Sequence, residues 1–460
     1  MIGIFLLLFL IRLPVFLADG FLTIPELNWM LVGEKLSAFQ LPYVGVWDNI
    51  APLSALTYGL IDLIVGRSQL AYVVVATLLV TYQCSVFNGF LLDTKAYNEN
   101  TFIPALVYGL LVSCFFDFFT LSPALLSFTW VLLAIRVIAY QVDNPLQDVN
   151  VLTSGLFLGV ATLFYLPSVV FLLSALIAFI LFANLTLRQY LLLIYGGCLP
   201  IVFVALIFYW LDGFQPFVQQ FLLSYFNMAP TQYMGVFSLI FIGFVPFIFF
   251  LVALFRVIQE SIRYNNHQTR LQQVMLSMLG GGLLILVLDK ERSAHHLLFI
   301  VPPLAFYITH YLLIIERIIL AELLTGLLLS YVVVVNYGAL YEFFGIDTVT
   351  KSKELFVQPT SYDNRVQGKK ILMLGENINV YKNAQLATPY LDWQLSAPKL
   401  REAEYYDNLS QVYVNFSKDM PEIIIDETQT MPPLLSRIPR LKDAYQKQGN
   451  LYVLKSQANN

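Results

Sequence analysis

The chain of 460 residues is 58% hydrophobic and 15% aromatic, and only 12% of its residues are charged. About a quarter of the residues in soluble globular domains are charged, so this composition excludes an ordinary soluble protein and is typical of a membrane protein. The formal net charge of -4 provides no basic surface for nucleic acid, and we expect no nucleic-acid partner. Charge is concentrated near the C-terminus, where residues 345–460 hold 14 of the 26 basic and 13 of the 30 acidic residues.

Apolar runs of membrane-spanning length recur through the first three quarters of the chain. The run 1–18 has one charge, Arg12, lacks a basic start and precedes no small-residue cleavage site, so it is predicted to be a membrane helix and not a signal peptide. The short pair 151–166 and 168–185, divided at Pro167, favours tilted or re-entrant helices. The eleven candidate spans are 1–18, 69–92, 102–116, 121–140, 151–166, 168–185, 190–211, 235–256, 273–288, 297–315 and 319–339. They predict an all-α polytopic membrane domain at residues 1–344.

From about Asp347 the pattern becomes that of a small soluble α/β domain, predicted to occupy residues 345–460. Short buried strands are predicted at 370–375, 422–426 and 451–454, and helices at 398–418 and 435–447. The Ile and Leu runs are too continuous for an exposed antiparallel sheet and favour a parallel layer. We find no nucleophile–base pair or metal-spaced cluster here, so the domain is expected to have no catalytic residues of its own. Envelope proteins that dock on residues 345–460 are a further expected partner.

The loops between the predicted spans differ in basic residues. With a cytoplasmic N-terminus, the cytoplasmic loops hold more Lys and Arg, Arg188 and Arg256 among them, than the opposite loops. Eleven spans then place the C-terminal domain outside the cytoplasm. The predicted location is the inner membrane of a Gram-negative cell, with that domain in the periplasm.

Loop 19–68 is too interrupted to cross a bilayer and too apolar to be disordered. Two helices at the membrane interface are predicted in it, one from Glu26 to Leu36 and one from Ala51 to about Gly66, joined by a polar turn with Tyr43 and Asp48. An ordinary surface loop is the alternative, but loops of this length in compact proteins are usually functional or disordered.

A carboxylate stands among phenylalanines in Cys114-Phe115-Phe116-Asp117-Phe118-Phe119. Burying Asp117 there costs free energy unless it has a partner or a cavity, and desolvation is expected to raise its pKa. The alternative is a helix-end anchor that faces water.

The segment Asp289-Lys290-Glu291-Arg292-Ser293-Ala294-His295-His296 joins two strong spans. Its cations and histidines suit the phosphate of a lipid carrier, because Lys and Arg pair with phosphate oxygens. A plain solvated loop is the alternative. Zinc binding is not expected, because adjacent histidines point in different directions, and no cofactor or metal is indicated elsewhere.

The order of these pieces resembles the GT-C superfamily of membrane glycosyltransferases, which act on polyprenyl-phosphate-linked sugars. The likeness covers most of 1–320 and extends to a branch of Bacteroidota membrane proteins with no firm activity. The other segments that carry it are Val65–Ser68, 155–163, 196–200 and 292–304.

This resemblance implies a cavity on the non-cytoplasmic side that a lipid-linked sugar enters from the membrane. It implies Glu26 as the loop-1 acid and base, Asp117 as a second-loop acid in the same cavity, and a donor-phosphate site in the cationic segment. The family often has paired acids in loop 1, whereas Pro25-Glu26 supplies one, so Asp48 or Asp19 is a substitute. The predicted catalytic residues are Glu26, Asp117 and Asp48, and the predicted substrate-binding residues are Lys290, Arg292, His295, His296, Tyr43 and Arg67.

Two functional classes follow from these expectations. The first is a membrane glycosyltransferase that moves a sugar from a polyprenyl-phosphate carrier to an acceptor outside the cytoplasm, with membrane lipid as a further partner. The second is a non-catalytic membrane component of an envelope-assembly or secretion machine. A transporter fits less well, because transporters usually bury ionisable residues near the bilayer midplane, whereas most charges here lie at predicted span ends.

Overall fold

The computed structural model describes residues 1–17, 21–143, 147–183, 185–260 and 264–455. Contacts divide the chain into two compact units. The first comprises 1–21, 69–204 and 230–355, and the second 22–68, 205–229 and 356–460. The predicted domain division at 344 and 345 stays a prediction.

The first unit is a bundle of apolar helices. Its principal helices are Ile2–Leu17, Gln69–Asp93, Ile103–Leu111, Pro123–Asp143, Asp148–Phe164, Val170–Phe182, Leu187–Trp210 (whose last residues belong to the second unit), Val236–Gln259, Asn266–Leu288, Val301–Ile314 and Ile318–Tyr341. The 3-10 turns are Phe116–Phe118, Leu166–Val169, Ala294–Ile300 and Phe343–Gly345, and two short helices, Ile346–Thr350 and Ser352–Leu355, close the unit.

The chain is a multi-pass membrane protein, and its spans agree in part with the eleven predicted. In the described residues, seven helices are long and apolar enough to cross a bilayer: Gln69–Asp93, Pro123–Gln141, Leu187–Trp210, Val236–Gln259, Asn266–Leu288, Ala294–Ile314 and Ile318–Tyr341. The predicted spans 1–18, 151–166 and 168–185 correspond to shorter apolar helices. The span predicted at 102–116 is wrong in extent, because its helix stops at Leu111 and the phenylalanines after it form a 3-10 turn.

Glycines let the helices Asp148–Phe164 and Leu187–Trp210 meet backbone to backbone. A Cβ atom on Gly196 would lie 2.6 Å from the carbonyl oxygen of Leu152, and one on Gly159 would meet the carbonyl of Gly197. No side chain fits there unless the helices separate. The helix Asp148–Phe164 is thus packed closely on a neighbour, whereas Val170–Phe182 exposes Leu173, Ile180 and Leu181. The prediction that the short pair is tilted or re-entrant stays a prediction.

The second unit combines the loop-1 helices Ile24–Ser37 and Pro52–Val65 with a five-stranded sheet. Its further helices are Phe214–Phe217, Ser224–Asn227, Asp363–Val366, Trp393–Arg401, Tyr406–Lys418, Met431–Arg437 and Pro439–Ala444, with a π-helical turn Val218–Leu223 and a 3-10 turn Ile378–Asn383. Seven strands are numbered in chain order: β1 Thr231–Gln232 and β2 Glu291–Arg292, which lie in the first unit, then β3 Lys370–Leu374, β4 Gln385–Leu386, β5 Ile423–Asp426, β6 Tyr445–Gln448 and β7 Leu451–Leu454.

The sheet of the second unit is mixed, so the prediction of a parallel sheet is only partly correct. In the order β4-β3-β5-β7-β6, β3 is parallel to β4 and β5, whereas β7 runs antiparallel to β5 and β6. Strand β6 is not predicted by the sequence, because Tyr445–Gln448 exposes three of its four side chains and has no apolar run. The helix predicted at 435–447 is therefore wrong at its C-terminal end. The core of the sheet includes Trp47 of loop 1, packed with Leu372, Leu374 and Tyr390.

The glycine contact gives a stability prediction. Gly159→Val puts a branched side chain against the backbone of Gly197 and is expected to destabilise the fold by about 1–3 kcal/mol or more, because overpacking forces backbone shifts. The matched control is Gly89→Val, also in a helix, since a Cβ at Gly89 has no neighbour within 4 Å. Thermal unfolding in detergent measures both variants. Equal unfolding temperatures for the two would contradict the close approach.

Candidate functional site

Asp117 is a buried acid whose partners come from far along the chain. It lies in the 3-10 turn Phe116–Phe118 and is 1% exposed. Its Oδ2 accepts hydrogen bonds from Ser293 Oγ at 3.0 Å, from the backbone N–H of His295 at 2.9 Å and from His295 Nδ1 at 2.9 Å. Among the residues that the structure describes, its Oδ1 has no hydrogen-bond partner. One oxygen therefore has three donors, whereas the other has none among the described residues.

The prediction that the pKa of Asp117 is raised is wrong. Burial does act to raise the pKa, but the positive charge of His295 and the hydrogen bonds from His295 and Ser293 outweigh it, and the pKa lies below its ordinary value. Asp117 is thus a carboxylate at neutral pH. The sequence could not give this result, because the donors lie about 180 residues away.

The cations Lys290 and Arg292 precede the residues that bind this carboxylate, on the segment Asp289–Ser293. Strand β2 in this segment pairs in parallel with β1, and the carbonyl of Arg292 accepts hydrogen bonds from the backbone N–H groups of Tyr233 and Met234, both at 3.1 Å. Both cations are half-buried. Within the described ranges, the Arg292 guanidinium makes no hydrogen bond or ion pair, so it is available to an anion.

The two histidines are buried and contact carboxylic acids. His295 is 1% exposed and binds Asp117, whereas His296 is 2% exposed and its Nδ1 lies 3.5 Å from Asp289 Oδ2. Their rings are 4.4 Å apart between centroids and nearly perpendicular. The sequence predicts both as phosphate ligands, and that assignment stays a prediction. In the structure they are partners of acids.

Asp289 and Tyr165 belong to the same cluster and were missed as site residues. The Tyr165 hydroxyl donates to Asp289 Oδ2 and lies 2.8 Å from His296 Nε2. Burial first, and the charge of Glu291 second, raise the pKa of Asp289 to about 8. The one sequence signal for Tyr165 was its position next to the break at Pro167.

Glu26 lies in the second unit, in the first turn of the helix Ile24–Ser37, and is 1% exposed. Thr23 caps this helix, and its hydroxyl accepts a hydrogen bond from the backbone N–H of Glu26 at 3.4 Å. A carboxylate in the first turn is favoured by the helix dipole, as the sequence predicts. The expectation that Glu26 and Asp117 share one cavity stays a prediction, and Asp19 lies outside the described residues.

Asp48 and Tyr43 use their polar atoms within loop 1. Asp48 accepts hydrogen bonds from Asn28 Nδ2 and from the backbone N–H of Ile50, both at 2.8 Å, and burial raises its pKa above the ordinary value. The Tyr43 hydroxyl donates to the carbonyl of Ile50 at 2.7 Å. The predicted roles in catalysis and substrate binding stay predictions.

Arg67 is likewise engaged by its own chain. Its guanidinium donates to the carbonyl of Tyr381 at 2.7 Å and to that of Ala384 at 3.1 Å, and it forms an ion pair with Glu34. These contacts join loop 1 to the segment 381–384 of the same unit. The role in substrate binding predicted for Arg67 stays untested.

The cluster in the first unit contains the types of group that anion binding and acid–base chemistry need. Two cations can offset the charge of a phosphate, and an ionised carboxylate can accept the proton of a hydroxyl or amine. No group of three or more His, Cys, Asp or Glu side chains in the described sequence has a placement that would hold a metal ion.

Known structures resemble this fold, although no family model and no curated protein sequence matches the chain. ArnT from Cupriavidus metallidurans bound to undecaprenyl phosphate has a TM-score of 0.50 and 9% identity over 95% of this chain and 88% of that chain. The same protein in the apo state has a TM-score of 0.51 and 11% identity over 84% of each chain. The archaeal oligosaccharyltransferase AglB from Archaeoglobus fulgidus, in complex with an inhibitory peptide and a dolichol-phosphate, has a TM-score of 0.49 and 11% identity over 100% of this chain and 74% of that chain.

The predicted fold class is confirmed. The chain has a GT-C-like fold, the fold of ArnT, with a membrane helix bundle and a small C-terminal α/β sheet domain. At such low identities the likeness shows the fold and not the reaction.

The raised pKa of Asp289 gives a pH prediction. The acid binds its proton more tightly when folded than when unfolded, where its pKa is about 3.9. Its contribution to stability is therefore complete below about pH 4 and is lost as the pH rises to about 8. Asp289→Asn should flatten the fall of the unfolding temperature in this window. The control is Asp148→Asn at an exposed ion pair with Arg188, and equal slopes in both variants would refute the prediction.

Proposed function

We propose that the chain is a glycosyltransferase that moves a sugar from a polyprenyl-phosphate carrier to an acceptor outside the cytoplasm. The observation that carries the proposal is the set of hydrogen bonds from Ser293 and His295 to Asp117, because it joins an ionised acid to the segment that carries two cations in one unit. The fold of ArnT, which binds undecaprenyl phosphate, supports this class of carrier.

The reaction needs groups of both signs. The acceptor attacks the anomeric carbon, the bond from that carbon to the phosphate oxygen breaks, and the acceptor's proton passes to a base. Lys290 and Arg292 offset the charge that grows on the departing phosphate, as preorganised cations do in transfer reactions. Asp117 Oδ1 accepts the hydrogen bond of the acceptor hydroxyl or amine.

Glu26 is proposed as the base, with Asp117 orienting the acceptor. Glu26→Gln keeps the shape and removes the charge, so transfer should fall roughly a hundredfold or more, as is typical when a general base is lost. Asp48, held by Asn28 and Ile50, is the reserve candidate if the Glu26 variant keeps its activity.

A second candidate function has a specific observation in its favour. Three predicted site residues form hydrogen bonds within loop 1 or to the segment 381–384: Asp48, Tyr43 and Arg67. A loop so fixed suits a non-catalytic membrane component of an envelope-assembly or secretion machine, with residues 345–460 docking envelope proteins.

The deciding experiment separates carrier binding from transfer. Arg292→Gln should weaken binding of undecaprenyl phosphate to the purified full chain about tenfold or more, because a charge-assisted contact to the phosphate is lost. Asp117→Asn should keep binding and lose transfer of radiolabelled sugar in membranes of the expressing cells. Arg188→Gln, at an arginine whose side chain is 79% exposed, is the matched control. Full transfer by both the Arg292 and Asp117 variants would contradict the proposed transferase site and favour the non-catalytic membrane component.

The proposed orientation puts the N-terminus in the cytoplasm and residues 345–460 in the periplasm, across the inner membrane. A periplasm-active reporter fused at Asn364 should be active, and one fused at Asn265 should be inactive. The reverse pattern would mean a different number of crossings, most simply because the short helices on either side of Pro167 do not both cross the membrane.

A further inference from the structure

Tyr165, which no predicted site includes, lies against the segment that carries the two cations. It stands between the helix Asp148–Phe164 and the turn Leu166–Val169, in extended conformation with φ −155° and ψ 110°. Its ring stacks on His296 at 5.3 Å and on Phe299 at 5.5 Å between centroids. The ring cannot turn away without losing both contacts, so its hydroxyl is held in one place.

That hydroxyl fixes the carboxyl group of Asp289. It donates to Asp289 Oδ2, while Asp289 Oδ1 accepts from the backbone N–H of Glu291 at 3.1 Å. The backbone N–H of Asp289 closes the last turn of the helix Asn266–Leu288. The Asp289 carboxyl therefore joins the end of this helix to the first turn of the cationic segment.

We propose that Tyr165 and Asp289 are positioning residues for anion binding: Tyr165 holds the Asp289 carboxyl, and that carboxyl holds the turn that presents Lys290 and Arg292 to a phosphate ester. The inference rests on the proposed function, since it concerns the same phosphate. It adds the residues that set the geometry of the cations, neither of which touches the phosphate itself.

The protonation of Asp289 also sets the charge that the phosphate meets. With the pKa of Asp289 at about 8, the acid is neutral at pH 7 and the segment 289–292 has one net positive charge, which is lost on ionisation. The titratable or charged groups that face Asp289 are Lys290, Glu291, Tyr165, His295 and His296. A phosphate monoester is already a dianion above its second pKa of about 6. A loss of affinity above pH 8 would therefore come from a titrating group of the protein and not from the phosphate.

The test uses the full chain in detergent with undecaprenyl phosphate as the probe. Tyr165→Phe should weaken binding about tenfold, as expected when a buried acid loses a donor, and should speed hydrogen exchange of the backbone amides of 289–293. Asp289→Asn should remove the fall in affinity that the natural chain shows above about pH 8. Tyr331→Phe is the matched control, because among the described residues this hydroxyl bonds only the carbonyls of Phe241 and Ile242.

The outcomes distinguish this inference from the proposed function. If Arg292→Gln loses the probe while Tyr165→Phe binds and exchanges like the natural chain, the positioning role is overturned and the carrier site stands. An unchanged pH profile in Asp289→Asn also overturns it. If the natural chain does not bind undecaprenyl phosphate, both the carrier site and the positioning role fall.

Discussion

The Asp117 carboxylate holds together two segments that the sequence separates by about 180 residues. Its Oδ2 takes three donors from the short stretch Ser293–His295, and that stretch follows the cationic turn directly. Hydrogen bonds to a charged acceptor are stronger than neutral ones and are strengthened further where water is excluded. This buried contact therefore helps to hold the cationic turn, together with the pairing of β1 and β2.

The same cluster shifts the pKa values of two acids, Asp117 and Asp289, in opposite directions. Asp117 has its pKa lowered because His295 and Ser293 outweigh the effect of burial, whereas burial and Glu291 raise the pKa of Asp289 to about 8. Neighbouring carboxyl groups whose environments separate their pKa values can take different roles in one reaction. The ionised acid can accept a proton, and the neutral acid leaves the positive charge of the turn intact.

The sequence predicted the fold class, most apolar helices, the loop-1 helices and three sheet strands, because each has a strong local pattern of apolar spacing. It could not predict β6, whose side chains are mostly exposed, or the early end of the helix at Leu111, because the phenylalanines after it are as apolar as a span. For the candidate site, the choice of Asp117 and Arg292 came from residue type, local surroundings and the order of the segments, and it stays a prediction. The sequence missed Tyr165 and the low pKa of Asp117, since both depend on contacts that only the folded chain makes.

The cost of burying charged groups in this cluster bears on the choice between the transferase and the non-catalytic component. Buried ion pairs add little net stability, and replacing them with apolar residues is often neutral or stabilising, because desolvation offsets most of the attraction. A protein that only docks partners gains nothing in stability from the ionised Asp117 and its buried imidazole. An unpartnered Oδ1 on that buried acid adds a further cost, which a ligand would relieve. A buried acid of this kind therefore supports the proposed transferase more than the proposed scaffold.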